Sequence, residues 1–230
     1  MRNKASLKAR LVWRSATTIA CLAAIMFLSA GSVRFWQAWM FVLLQAGFWT
    51  FFFVDFLKHD PHLLEGRLQS NENEPSQKIF QRLFQLILIP ALIMTGLDFR
   101  WGWTRKWLGP VPIAVIAAGQ VAVLAGYCLV FWVMKTNTFA ASTIQVEAKQ
   151  TVIRGGPYAL VRHPMYSGMA VTMLAVPLAL GSYVTLPLFG LLVPLLVYRL
   201  VHEERTLRRE LPGYVEHCEH TRFRLMPWVW

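Results

Sequence analysis

Two short stretches of this sequence combine side chains that could bind and orient charged reactants. Arg199 and Glu203 are four residues apart, so a helix would place both side chains on one face. An arginine can hold an anionic group in a planar fork, and a glutamate can bind a cationic group. Ionisable residues at the end of an apolar span are costly beside lipid, which favours a functional role. The alternative is an exposed ion pair that contributes about 0.2–0.5 kcal/mol.

The second stretch, residues 155–168, reads GGPYALVRHPMYSG. Pro164 directly follows His163, and proline is favoured at the first position of a helix, so a helix should begin there. The free backbone N–H groups at such a start attract an anionic group. The two glycines allow a tight turn close to a ligand, and Tyr158 and Tyr166 add hydroxyls and flat rings. The alternative is an ordinary turn and helix cap with interfacial side chains.

Other kinds of site have little support in the sequence. His59 and His62 lie in a polar loop with no third metal ligand nearby, and the six histidines are scattered along the chain. The three cysteines form no CxxC pair, so neither a zinc site nor a disulfide framework is predicted. The motifs of a serine nucleophile elbow, a dinucleotide-binding turn and a P-loop do not occur. We therefore expect chemistry without a metal.

The rest of the chain is typical of a membrane scaffold. Of its 230 residues, 56% are hydrophobic and 15% are charged, whereas soluble domains carry about 25% charged residues. Ten tryptophans suit the aromatic belts at membrane interfaces. The net charge of +11 fits positive cytoplasmic loops and anionic lipid, and no basic stripe with exposed aromatics indicates nucleic acid. We predict an all-α integral membrane bundle that contacts membrane lipids and no nucleic acid.

Apolar segments long enough to cross a bilayer predict about six transmembrane helices. The last two should form a helical hairpin that carries both stretches, and its second arm shows no break before Pro212. Prolines inside the two arms should bend them. Residues 1–30 could instead be a processed signal segment, and this alternative stays open. The expected segments are roughly 15–32, 35–57, 79–97, 111–134, 164–180 and 183–211.

The placement of Lys and Arg predicts the orientation, because positive residues accumulate on the cytoplasmic side of a membrane. With six spans, 19 of the 23 Lys and Arg residues fall on the side of both termini and 4 fall on the other. Both termini and both stretches should therefore face the cytoplasm. We divide the chain into a four-helix scaffold with a substrate-side region, 1–136, and a core, 137–230, that holds an interfacial segment, the hairpin and the tail.

The C-terminal part of the chain resembles the isoprenylcysteine carboxyl methyltransferases, whose wider group includes phospholipid N-methyltransferases. The stretches that carry the resemblance are GPYALVRHPMYSG, RLVHEERTL, GYVEH and the basic aromatic tail. The resemblance covers 137–230, about two-fifths of the chain. The RHPxYxG element alone also occurs in membrane sterol reductases. Followed by RxxxEExxL some 30 residues later, it is specific to the methyltransferases. The first four segments carry no motif that aligns, so we expect them to set substrate choice.

The resemblance implies S-adenosylmethionine as methyl donor, bound on the cytoplasmic side, and a lipid-like or prenylated acceptor. It implies that Arg199 contacts the acceptor and Glu203 the donor, which makes these two the catalytic pair. The family often has histidine where Gln150 stands. The implied donor-binding residues are Gln145, Gln150, Thr151, Val152, Ile153, Tyr158, His163, Pro164, Met165, Tyr166 and Glu203.

Several alternatives stay open at this point. The acceptor could be a carboxylate, the amine of a phospholipid or a small thiol, and the sequence does not predict the oligomeric state. Two other classes are a membrane reductase that uses NADPH and a non-catalytic membrane scaffold. The EExxL element argues against the reductase. A scaffold should tolerate loss of His163 or Glu203 without losing any ligand.

Overall fold

The computed structural model describes residues 4–61, 64, 75–137 and 150–230, and within these ranges the regular structure is entirely helical. A single 3₁₀ turn over Gly156–Ala159 precedes α6 in this part of the chain. The α-helices, in chain order, are α1 (Lys4–Ala30), α2 (Trp36–His59), α3 (Pro75–Trp101), α4 (Trp103–Trp107), α5 (Ile113–Thr136), α6 (Pro164–Ala179), α7 (Leu186–Gly190), α8 (Leu192–Glu210) and α9 (Tyr214–His220).

Five segments are long and apolar enough to cross a membrane: α1, α2, α3 and α5, together with α7 and α8 taken as one. The shorter apolar helix α6, with 16 residues, lies where the fifth of the six spans is expected. Large apolar side chains such as Leu28, Leu86 and Val121 face outwards from the bundle, as lipid-facing residues do. The predicted all-α membrane fold is therefore confirmed, and the chain is an integral membrane protein.

Two helix boundaries differ from the prediction. Helix α1 begins at Lys4, so the basic N-terminal residues continue the first apolar segment as one helix. The second arm of the hairpin was expected to run unbroken to Pro212, and this is wrong, because Leu191 separates α7 from α8. Pro194 explains the break: it offers no N–H to the Gly190 carbonyl, and its ring clashes with that group.

The long helices pack in a closed ring. Helix α1 contacts α2 and α3, α5 contacts α2 and α6, and α8 contacts α3 and α6. Helix α6 packs most extensively along α5, and glycines permit the close approach. A Cβ atom on Gly126 would lie 2.6 Å from the Gly168 carbonyl oxygen, and one on Gly119 would meet the backbone of Ala179. The motif-bearing helix α6 is therefore held mainly by the span that precedes it.

A buried polar network fixes the turn between α6 and α7, at the bundle end far from the motifs. Helix α6 closes with Gly181 at φ +71°, and the Ser182 N–H donates to the Pro177 carbonyl, the pattern of a Schellman motif. Asp98, near the end of α3, accepts hydrogen bonds from the Ser182 hydroxyl at 2.6 Å and the Thr104 backbone N–H at 2.7 Å. These bonds join α3, α4 and the hairpin turn. They therefore fix the position of α6 along the axis of the bundle.

Two hydrophobic clusters fill the bundle. The larger one lies inside the ring and includes Phe35, Phe189 and Leu196. The smaller one joins the start of α1 to the ends of α2 and α5, where Phe56 and Met134 are buried. Because this smaller cluster lies at the end of the bundle where α6 begins, the scaffold helices reach the motif residues directly.

Candidate active site

The start of α6 is where the RHPMY motif acquires its geometry. Pro164 occupies the first helical position and His163 the N-cap, as the sequence predicts. Gly156, at φ +60°, opens the 3₁₀ turn that leads into the motif; a positive φ of this kind strongly favours glycine. The turn and the helix start together fix the direction in which the motif side chains leave the backbone.

Tyr166 brings the two motif stretches together. Its hydroxyl donates a hydrogen bond to Glu203 Oε2 at 2.6 Å and accepts one from Arg199 Nε at 3.1 Å. Tyr166 is buried, while Arg199 and Glu203 are half-buried. The sequence predicts only that the arginine and the carboxylate share a helix face. The phenol, by contacting both, fixes the distance between them.

Helix α3 contributes a residue to this site that the sequence analysis did not identify. The Arg199 guanidinium carbon lies 4.9 Å from the centre of the Phe80 ring, a cation–π contact. Phe80 is buried at the start of the third membrane span. No motif could have indicated this residue, because the contact depends on how α3 and α8 pack.

His163 is a neutral residue at neutral pH. Burial lowers its pKa to about 3, and the positive charges of Arg162 and Arg224 act in the same direction. Its Nε2 lies 3.2 Å from the Tyr214 hydroxyl. Burial also raises the pKa of Tyr214, so the phenol stays protonated beside the neutral imidazole. His163 also lies edge-to-face against Tyr166, with ring centres 6.0 Å apart.

The sequence predicts that free backbone N–H groups at this helix start bind an anion. Two of the N–H groups there instead donate to the tail of the chain. The Arg162 N–H donates to the Phe223 carbonyl and the His163 N–H donates to the Arg224 carbonyl. The tail of the chain folds back against the motif and occupies these donors. A loop-to-tail contact of this length leaves no signal in local sequence.

Glu204, next to Glu203 in α8, has a buried side chain. It is 3% exposed. Its Oε1 accepts from Arg162 at 2.6 Å and from Arg208, and its Oε2 accepts from Arg224 at 2.6 Å. Only the Arg208 contact is local, at i,i+4, so sequence spacing could not have indicated the other two. Glu204 therefore joins α8, the motif and the tail.

The other predicted donor residues lie in two places. Tyr158 is half-buried, and its hydroxyl accepts from Asn137 Nδ2 at 2.9 Å. Gln150, Val152 and Ile153 are half-buried and Thr151 is exposed, and this segment runs beside Gly213 at the start of α9. Met165 packs against the smaller hydrophobic cluster. Gln145 lies outside the described residues.

Helix α9 supplies a second set of polar residues that the sequence analysis did not assign to the site. Tyr214 and His217 are both buried, and their ring centres lie 6.1 Å apart. The i,i+3 spacing of the two aromatic rings in GYVEH was the available signal, since it places both on one face of a short helix. Through Tyr214 this pair is connected to His163.

The polar groups present fit a cationic donor with hydrogen-bonding groups. Glu203 provides a carboxylate for a positive group, and Tyr166 holds it in place. Arg162 Nε and both ring nitrogens of His217 are buried without a hydrogen-bond partner in the described structure, which is the kind of unsatisfied group that a ligand can complete. Among the described residues, no group of three or more His, Cys, Asp or Glu side chains could hold a metal ion.

Part of the sequence and the fold are similar to known methyltransferases. Residues 114–211, from α5 to the end of α8, match the family described as phospholipid methyltransferase. No curated protein matches the sequence. The fold is similar to that of the eukaryotic intramembrane Ras methyltransferase, an isoprenylcysteine carboxyl methyltransferase, with a TM-score of 0.55 and 14% identity over 94% of this chain and 75% of that one. The match over residues 114–211 supports the predicted membrane methyltransferase, and the structural comparison shows a similar fold.

Proposed function

We propose that this protein transfers a methyl group from S-adenosylmethionine to a lipid-like or prenylated acceptor, in the manner of an isoprenylcysteine carboxyl methyltransferase. The observation that carries the proposal is the single phenol, Tyr166, that contacts both Glu203 and Arg199 beside His163. One carboxylate and one guanidinium held at a fixed spacing are suited to bring a cationic donor and an anionic acceptor together.

The proposed roles follow from the charges of these side chains. S-adenosylmethionine supplies an electrophilic methyl group on a sulfonium. Glu203 binds the donor's ammonium group, and Tyr166 and neutral His163 line the same wall. Arg199 holds an acceptor carboxylate in its planar fork. A carboxylate is already ionised at neutral pH, so the side chains need only orient the two reactants and exclude water.

The remaining donor contacts are proposed on the same basis. We assign donor binding to the turn before α6, the segment beside α9 and the start of α6, and catalysis to Arg199 and Glu203. The core is 137–230, and the scaffold, 1–136, supplies substrate-side residues, which the Phe80 contact with Arg199 supports. The proposed donor-binding residues are Gln145, Gln150, Thr151, Val152, Ile153, Tyr158, His163, Pro164, Met165, Tyr166 and Glu203.

An amine acceptor is the second candidate, and the match of residues 114–211 to the phospholipid methyltransferases favours it. In that case Arg199 would contact the phosphate of the lipid instead of the group that is methylated. The amine would have to lose a proton before transfer. Both acceptors use the same donor site.

Labelled methyl transfer distinguishes these acceptors. Membranes containing the protein are incubated with S-adenosylmethionine carrying a labelled methyl group, and the labelled product is identified. We expect a methyl ester if the acceptor is a carboxylate and a methylated lipid headgroup if it is an amine. The matched control is Glu203→Gln, which keeps the size of the side chain and removes its charge. A parallel titration of purified protein with S-adenosylhomocysteine and NADPH tests the reductase class, and binding of NADPH alone would contradict the proposal.

We also propose that both termini and the site face the cytoplasm. The support is the uneven placement of 19 Lys and Arg residues on one side and 4 on the other. A reporter fused after Trp230 should be active only in the cytoplasm. A reporter that is active only on the opposite side of the membrane would refute this orientation.

A further inference from the structure

His217 is a buried imidazole with an unexplained position. It is 2% exposed, and neither Nδ1 nor Nε2 has a hydrogen-bond partner in the part of the chain that the structure describes. Leaving a buried polar group unpaired costs free energy, so such groups in folded proteins usually have a partner that is a water or a ligand. The surroundings of His217 indicate which of these it meets.

A chain of contacts between four rings connects His217 to the Glu203 site. Tyr166 and His163 have centres 6.0 Å apart, His163 Nε2 is 3.2 Å from the Tyr214 hydroxyl, and Tyr214 and His217 have centres 6.1 Å apart. Tyr166, at the other end of this chain of contacts, is bonded to Glu203. The chain therefore offers a donor two polar ends, Glu203 for its ammonium group and His217 for its opposite half.

Part of segment 150–154 lies beside the start of α9. Val152 and Arg154 lie beside Gly213, one helical turn before His217. Burial lowers the pKa of His217, and the charges of Arg154 and Arg162 add to this effect. The imidazole is consequently neutral, with one nitrogen that donates and one that accepts. A ligand group that both donates and accepts hydrogen bonds complements it.

We propose that His217 hydrogen-bonds the adenosyl half of the methyl donor, through a ribose hydroxyl or the purine edge. Both groups donate and accept hydrogen bonds, and both lie at the end of the donor opposite its ammonium group. This inference rests on the proposed function. Helix α9, which lies outside the RHPMY and RLVHEE stretches, would then contact the donor directly.

Two product analogues separate the two halves of the donor. S-adenosylhomocysteine carries both the amino-acid half and the adenosyl half, whereas 5′-methylthioadenosine carries only the adenosyl half. Binding of each to purified protein in detergent is measured by calorimetric titration. Loss of a contact to the adenosyl half must weaken both analogues equally, while loss of a contact to the ammonium group must weaken only the first.

We expect His217→Phe to weaken both analogues by the same factor, roughly tenfold, as the loss of one buried hydrogen bond to a ligand predicts. His217→Gln, whose amide also donates and accepts, should restore most of the affinity. Glu203→Gln should weaken only S-adenosylhomocysteine. His220→Phe is the matched control, because His220 is exposed on the same short helix, and it should leave both affinities unchanged.

Unchanged affinity in His217→Phe would overturn the inference and assign the unpaired nitrogens to water, and so would a loss restricted to S-adenosylhomocysteine. If His217→Phe does not fold, His217→Leu gives the same comparison with a smaller side chain. The proposed function fails in a different way, since the unaltered protein would then bind neither analogue.

A third analogue, S-inosylhomocysteine, has a changed purine edge and separates the two possible contacts of His217. If the effect of His217→Phe disappears with this analogue, His217 contacts the purine edge. If the effect persists, His217 contacts the ribose.

Discussion

Arg224 donates a hydrogen bond from Nε to Oε2 of Glu204 at 2.6 Å, and this contact fastens the tail of the chain to helix α8. The same tail segment accepts the backbone N–H groups of the RHPMY motif, and Leu225 accepts the Ser167 hydroxyl at 2.6 Å. The tail is therefore part of the frame that positions His163.

The contrast between Arg224 and Arg208 tests this frame. Both bond Glu204, but Arg208 comes from the same helix and is more exposed, at 42% against 30%. We expect Arg224→Ala to lower the free energy of unfolding by about 1–3 kcal/mol, because a buried carboxylate loses a charged donor. Arg208→Ala should cost less, because the Arg208 side chain is more exposed and Arg162 still donates to the same carboxylate oxygen. Denaturant unfolding in detergent measures both, and equal losses would contradict the distinction.

The sequence predicted the architecture because the features that determine it are local. Apolar segment length defines the spans, and proline after His163 fixes the start of α6. The prolines predict bends in the two arms but not the break at Leu191. A proline in an apolar span can either bend a helix or interrupt it, and the outcome depends on how neighbouring helices satisfy the freed carbonyl. The packing of α6 along α5 was not predicted either, because glycine spacing gives no partner by itself.

The close approach of α5 and α6 makes Gly126 intolerant of a side chain. A Cβ atom there would lie 2.6 Å from the Gly168 carbonyl oxygen and would also meet the Thr172 hydroxyl. Gly126→Ala should therefore push the helices apart and cost about 1–3 kcal/mol of unfolding free energy. Gly47→Ala in α2 is the control, because no atom lies within 4 Å of the added methyl group. The idea fails if both variants unfold at the temperature of the unaltered protein.

The site was predicted in its parts but not in its connections. Arg199 and Glu203 share a helix face, as i,i+4 spacing requires, and the structure shows the Tyr166 hydroxyl in contact with both. The burial of Glu204 could not be predicted, because two of its three arginine partners are 42 and 20 residues away in sequence. Side chains that meet only through the folded tail carry no local pattern.

The buried, neutral state of His163 makes stability depend on pH. In the unfolded chain a histidine has a pKa near 6.5, whereas burial lowers the pKa of His163 to about 3. Between these values the unfolded state binds the extra proton, so stability is complete above about pH 6.5 and falls as the pH falls towards 3. The slope from one such group reaches about 1.4 kcal/mol per pH unit.

Comparison with His163→Gln isolates this contribution, since glutamine does not titrate and other groups titrate in both proteins. Unfolding free energies are measured from pH 7 down to pH 4. We expect the unaltered protein to lose more stability than the variant over this range. Parallel curves would show that folding does not lower the pKa of His163.

The last prediction concerns the choice between two roles for Arg199, and it rests on the proposed donor and acceptor sites. If the guanidinium holds an anionic acceptor, Arg199→Lys should not restore turnover, because an ammonium group lacks the planar fork. Donor affinity should stay near that of the unaltered protein, since Glu203 and its Tyr166 hydrogen bond remain. Turnover should fall steeply, because a misplaced acceptor loses its in-line geometry.

The alternative role is that Arg199 only orients Tyr166, whose hydroxyl it reaches at 3.1 Å. Tyr166→Phe is the matched variant for this role, because it removes the hydroxyl and keeps the ring. If Arg199 acts only through Tyr166, then Arg199→Lys should turn over normally, and Arg199→Ala should weaken S-adenosylhomocysteine binding as much as Tyr166→Phe does. If Arg199 binds the acceptor, Tyr166→Phe should weaken the donor, while Arg199→Lys raises the acceptor KM and leaves the donor affinity unchanged. Measuring donor affinity, acceptor KM and kcat on all three variants therefore decides the role of Arg199, and full activity in Arg199→Lys would remove it from the acceptor site.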